Sequence, residues 1–123
     1  MHRSRLSGFI IDCRTEDLDS ATHFWAEALG MKTVEGGSEG YLRLDSAARD
    51  LEIEIQRVPH ESRVHLDIET DDLEAEASRL EGLGAARISK TKTWWVMQAP
   101  TGQRFCVVNR AEFTGRVGTN VWK

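Results

Sequence analysis

The sequence predicts an α+β fold of two tandem βαβββ modules, and three observations predict it. Asp12-Cys13-Arg14-Thr15-Glu16-Asp17-Leu18 returns 55 residues later as Asp67-Ile68-Glu69-Thr70-Asp71-Asp72-Leu73, each copy joining an apolar run to a helical pattern. Both helical patterns end at glycine, at Gly30 and Gly84. After each glycine, short apolar segments alternate with turn residues, which is the spacing of strands.

Taken in order, Gly8-Phe9-Ile10-Ile11-Asp12-Cys13 is aromatic and β-branched and predicts a strand. Residues 17–29 carry Leu18, Ala21, Trp25 and Leu29 near helical spacing, with Trp25 in the core. Residues 31–34 and 41–44 predict two short strands around a glycine-rich hairpin turn at 35–40. Leu51-Glu52-Ile53-Glu54-Ile55-Gln56 alternates strictly, the clearest strand signal in the chain.

The order then repeats. Val64 to Glu69 predicts a strand, and Asp71, with Glu74 three residues on, predicts a capped helix whose face carries Leu73, Ala77, Leu80 and Gly84. Residues 86–88, 94–97 and 104–108 predict three more strands, the last two joined by Pro100-Thr101-Gly102-Gln103. The expected organisation is one domain: module one at about 6–58, a linker at 59–63, module two at about 64–109, and a loop-like tail at 110–123 anchored by Trp122.

Bulk properties narrow the function. A chain of 123 residues is long enough to bury a core without staples. A net charge of −4 with interleaved signs offers no basic stripe, so nucleic acid is not an expected partner. No apolar stretch approaches the roughly 18 residues of a membrane span, and residues 1–5 lack the apolar run of a signal peptide, so a cytoplasmic protein is the default expectation. Cys13 and Cys106 sit in apolar runs and read as reduced packing thiols. No nucleophile elbow, phosphate loop or dinucleotide fingerprint is present.

The doubled βαβββ order, Phe24-Trp25-Ala26-Glu27-Ala28-Leu29-Gly30, Gln56-Arg57-Val58-Pro59 and the closing Ala99-Pro100-Thr101-Gly102-Gln103-Arg104-Phe105-Cys106 resemble the glyoxalase/bleomycin-resistance/dioxygenase superfamily, also called vicinal oxygen chelate proteins, and its glyoxalase-like branch. The resemblance covers roughly residues 6–109. It implies a paired mixed sheet that encloses a cleft, with the helices outside. In metal-using members the cleft takes one ligand from the first and last strand of each module, and substrate oxygens fill the ion's open positions.

Carried onto this sequence, the four ligand positions are Ile10, Glu54, His65 and Cys106. Glu54 and His65 are proper ligands for zinc, iron, nickel or manganese; Cys106 suits a softer metal, and Ile10 cannot coordinate. Alternation supports the placement independently, setting Glu52, Glu54 and Gln56 opposite Leu51, Ile53 and Ile55, which face the helices, and setting His65, Asp67 and Glu69 opposite Val64, Leu66 and Ile68. Asp12 shares the direction of Ile10. Trp94 and Trp95 are adjacent and must face opposite ways.

Two functions compete. In one, the resemblance implies a protein that binds a small aromatic or cationic molecule in the cleft, as bleomycin-resistance members do. Its metal site is then degenerate, and Ile10, Asp12, Gln56, Trp94, Trp95 and Cys106 form the ligand-contacting set. In the other it is a metal-dependent lyase, isomerase or dioxygenase with one divalent ion on Glu54 and His65 and with Glu52 or Asp67 as general base. A homodimer paired through strand edges is expected under both.

Overall fold

A computed structural model of the chain describes residues 1–35 and 37–123; the predicted turn at 35–40 includes Gly36, which lies outside the described residues. The α+β expectation is met, with two helices and nine strands of a mixed sheet. The elements run β1 (His2–Cys13), α1 (Leu18–Leu29), β2 (Thr33–Val34), β3 (Tyr41–Leu44), a 3-10 turn (Ala47–Arg49), β4 (Glu52–Arg57), β5 (Arg63–Thr70), α2 (Leu73–Gly82), β6 (Ala86–Thr91), β7 (Trp94–Gln98), β8 (Arg104–Asn109) and β9 (Asn120–Trp122). Both βαβββ runs appear in the predicted order. Two compact units form, Gly8–His65 and Met1–Ser7 with Leu66–Lys123. Among the described residues, no helix is long and apolar enough to cross a membrane.

In the Gly8–His65 unit the strands lie in the order β2-β3-β4-β1, with β4 parallel to β1 and the other pairs antiparallel. Asp17 caps α1 by accepting the backbone N–H of Ser20, and Gly30 ends the helix at φ 66°, a left-handed conformation that costs glycine little. The helix packs Leu18, Ala21, Trp25 and Ala26 onto Ile11, Cys13, Leu44 and Ile55. Full burial of an aliphatic side chain such as Ile55 contributes about 1.5–3 kcal/mol. Gly8 permits the closest strand approach, since a Cβ there would lie 1.9 Å from the Glu52 carbonyl oxygen.

The other unit orders its strands β5-β8-β7-β6, with β5 and β8 parallel, and β9 pairs antiparallel with His2, Arg3 and Ser4 of β1. Here α2 sets Leu73, Ala77 and Leu80 against Ile68, Trp95, Met97 and Val107. The same helix carries a buried charge. Glu76 is 0% exposed, accepts two hydrogen bonds at 2.8 Å from the Arg79 guanidinium, and meets His2 Nε2 at 2.8 Å. Desolvation alone would raise its pKa, but hydrogen bonds from Arg79, His2 and Ser4, with the Arg79 charge, outweigh it and hold the carboxyl below its ordinary value.

Three expectations need correction. The cap of α2 is Asp72, whose side chain accepts from Ala75, because Asp71 is already committed to the backbone N–H and guanidinium of Arg3. The tail is not all loop: Asn120–Trp122 forms β9, where Trp122 Nε1 donates to Ser4 Oγ at 2.8 Å and the Arg79 guanidinium stacks 4.0 Å from its ring centre. Finally, Ile68 joins a buried cluster, but Val64 and Leu66 on the same side of β5 are 58% and 44% exposed. Alternation decides which face a residue takes, not whether a helix covers that face.

Candidate functional site

Register shows which side chains share a face, because partners on neighbouring strands point the same way. In the Gly8–His65 unit, β1 and β4 pair Gly8 with Glu52, Ile10 with Glu54 and Asp12 with Gln56. The next strand over, β3, adds Arg43 opposite Glu54 and Tyr41 opposite Gln56. Two cross-strand rows result, Ile10/Glu54/Arg43 and Asp12/Gln56/Tyr41. Their face lies opposite the helix-covered one of Ile11, Ile53 and Ile55.

The second row is hydrogen-bonded. Gln56 Nε2 donates to Tyr41 Oη at 3.0 Å, and Asp12 Oδ2 lies 2.7 Å from His65 Nδ1, with Arg63 Nε 3.9 Å away. Asp12 is 2% exposed, so its charge sits in a low-dielectric setting where such a bond is strong. A carboxylate only accepts, so Nδ1 carries a proton in this bond. Asp12 Oδ1 is buried and has no hydrogen-bond partner. Behind it, burial and then the charge of Asp12 push the Cys13 thiol up, keeping it a neutral packing group.

In the other unit, Asp67 is the register partner of Cys106, which pairs in turn with Val96. The next row on that face is Glu69, Val108 and Trp94. Trp95 falls on the opposite face with Ile68 and Val107, among the residues packed under α2, which removes it from the polar face. Arg87 and Lys90 stack on its ring at 4.9 and 5.6 Å.

Residues that sequence analysis missed fill in both faces. Tyr41 and Arg43 emerge only from the β3–β4 register. Glu69, 4% exposed, is gripped at 2.7 Å by Arg5 Nη1 on one oxygen and by Arg110 Nε on the other. Such a buried ion triad depends on pairs distant in sequence, and only a charged residue repeating inside an apolar strand hinted at it.

A sequence model described as the glyoxalase-like domain matches residues 8–108. The chain belongs to the glyoxalase-like domain family. Its fold recurs in methylmalonyl-CoA epimerase from Mycobacterium tuberculosis, 18% identical with a TM-score of 0.64 over 89% of each chain. It recurs also in a glyoxalase/bleomycin resistance protein/dioxygenase superfamily member from Vibrio splendidus 12B01, 16% identical, TM-score 0.54, covering 87% of this chain and 99% of that one. The Mn(II)-bound glyoxalase of Novosphingobium aromaticivorans is 18% identical with a TM-score of 0.56, covering 87% of this chain and 38% of its own. No curated protein matches the sequence.

The ligand positions implied for a metal-using relative do not all fit this glyoxalase-like domain. Ile10 offers only hydrocarbon, is 4% exposed, and stands beside Glu54 where a donor is required. Other donors face each other in the other unit, where Asp67 of β5 is opposite Cys106 of β8.

Proposed function

We propose that this glyoxalase-like domain binds a small organic molecule on the polar sheet face of its Gly8–His65 unit, with Asp12 and His65 as the recognition centre. Asp12 Oδ1 carries the proposal, being a buried carboxylate oxygen with no partner. Leaving such an acceptor unmet costs about 1–3 kcal/mol, which an ammonium or hydroxyl group of the guest recovers on binding. The reading therefore selects a hydrogen-bond donor, and a cationic one above all, because a carboxylate oxygen bonds a charged donor more strongly than a neutral one. His65, held through Nδ1 on the other oxygen of the same carboxylate, fixes the orientation of Asp12 toward that guest.

A thermal-shift screen tests this with small amines and alcohols, each beside the isostere that lacks the donor. Donor compounds raise Tm in the wild type and lose that effect in Asp12→Asn. Equal stabilisation by both members of each pair would overturn the proposal.

A second reading has one observation in its favour, the carboxylate and thiol that Asp67 and Cys106 carry as register partners on β5 and β8. It assigns a divalent ion to donors on the polar side of β5, in keeping with the Mn(II)-bound glyoxalase that shares the fold. Metal analysis of protein purified without chelator decides it. Roughly one ion per chain, reduced in Asp67→Asn, supports this reading, and metal-free protein that gains no stability from added Mn(II) or Zn(II) opposes it.

A further inference from the structure

A concavity of about 540 Å³ opens at the end of β1 and β4, lined by Arg14, Thr15, Glu16, Arg57, Val58 and Pro59. It belongs wholly to the Gly8–His65 unit and lies just past the Asp12/Gln56 row along both strands. Five arginines of the chain are held in close ion pairs: Arg3 to Asp71, Arg5 and Arg110 to Glu69, Arg79 to Glu76, and Arg87 to Glu74 and Glu81. Arg14 and Arg57 are not, for neither guanidinium has an ion-pair or hydrogen-bond partner among the described residues.

The spacing of these two cations is built in. Cys13 and Arg57 are register partners on adjacent parallel strands, which places Arg14 one residue beyond that pair, with strand axes roughly 4.8 Å apart. Past the last register pair, Val58 N–H donates to the Cys13 carbonyl at 2.9 Å and Arg14 N–H donates to Ser62 Oγ at 2.9 Å. These bonds tie the two loops to each other. Register alone would turn Arg57 and Arg14 to opposite faces, but past the strand ends both residues line the same concavity. There two guanidinium forks can converge on one oxyanion, each offering the bidentate geometry that carboxylate and phosphate accept. The Thr15 hydroxyl is taken up by the backbone of Asp17, and Glu16 leaves the lining a net charge of +1, enough for a monoanion.

We infer that Arg14 and Arg57 form an oxyanion subsite for the carboxylate or phosphate group of a small ligand. It stands on residues separate from the Asp12–His65 centre and does not depend on that centre's role. If both sites serve one molecule, the ligand carries a donor group at one end and an anion at the other, a few strand residues apart.

Inorganic phosphate and acetate, titrated separately at constant ionic strength and followed by amide NMR, provide the test. Saturable shifts confined to the amides of Arg14, Thr15, Arg57 and Val58 are expected with at least one of the two anions, and the better binder identifies the group. Arg14→Gln and Arg57→Gln each weaken that binding about tenfold or more, a loss of about 1.4 kcal/mol, whereas Arg49→Gln, at the exposed 3-10 turn, leaves it unchanged. Asp12→Asn also leaves anion binding intact, which separates this subsite from the donor-recognising centre. Shifts spread over the surface without saturation, or full binding by the Arg14→Gln/Arg57→Gln double variant, would overturn the inference.

Discussion

His65 Nδ1 lies 2.7 Å from the buried Oδ2 of Asp12, and this bond makes that ring nitrogen the donor. Long-range proton–nitrogen NMR of the side chain at neutral pH should find the proton on Nδ1 in the wild type. In Asp12→Asn the carboxylate that selects this tautomer is gone, and the Nε2–H form should gain population. Identical spectra for the two proteins would remove the dyad from the account.

Gly8 marks the tightest backbone approach in its unit, with the Glu52 carbonyl 1.9 Å from where a Cβ would stand. Gly8→Ala forces β1 and β4 apart and is expected to cost about 3 kcal/mol, read from urea midpoints. Because both strands carry the polar face, ligand binding should fall with it. Wild-type stability in this variant would show that the strands tolerate the separation.

Glu69 balances Arg5 and Arg110. Glu69→Ala leaves two guanidinium groups with a buried carboxylate missing between them, and such losses run to about 3–5 kcal/mol. Replacing Glu69 by Gln retains shape and one of the two acceptor oxygens but not the charge, and its loss should be smaller. Equal losses for Ala and Gln would assign the stabilisation to charge alone.

Glu76 predicts an acid-sensitive limb in the stability profile. Its folded pKa is depressed, so its contribution is fully present above the unfolded value of about 4.3 and disappears as pH falls through the lower folded value. Exposed Asp17 and Glu74 are shifted in the same direction, so the informative quantity is the difference between wild type and Glu76→Gln. That difference should shrink between pH 5 and pH 3 in urea unfolding. A constant difference over that range would contradict the assignment.

Much of the fold was legible in the chain because it rests on local signals: period-two alternation in residues 52–56, helical spacing after Asp17 and Asp72, and turns at glycine. The polar-face residues Asp12, Glu54, Gln56 and His65 were legible for the same reason. What escaped was every feature decided by partners far apart in sequence. Asp71 reads as a helix cap until Arg3 claims it, the burial of Glu76 depends on His2 as well as Arg79, and the tail reads as loop until residues 2–4 offer it a strand edge. Ile10 was the reverse case: its chemistry alone, read from one letter, already ruled it out as a metal ligand.

The central claim is that the unpaired, buried oxygen of Asp12 recognises a donor on a small guest, and paired binding by NMR tests it most directly. Benzylamine, benzyl alcohol and toluene present the same ring with a cationic donor, a neutral donor and none. The account predicts affinity falling in that order for the wild type, with the Asp12 and His65 signals shifting on saturation and the order lost in Asp12→Asn. Equal affinities for all three, or binding by benzylamine that leaves those two residues unperturbed, would contradict it.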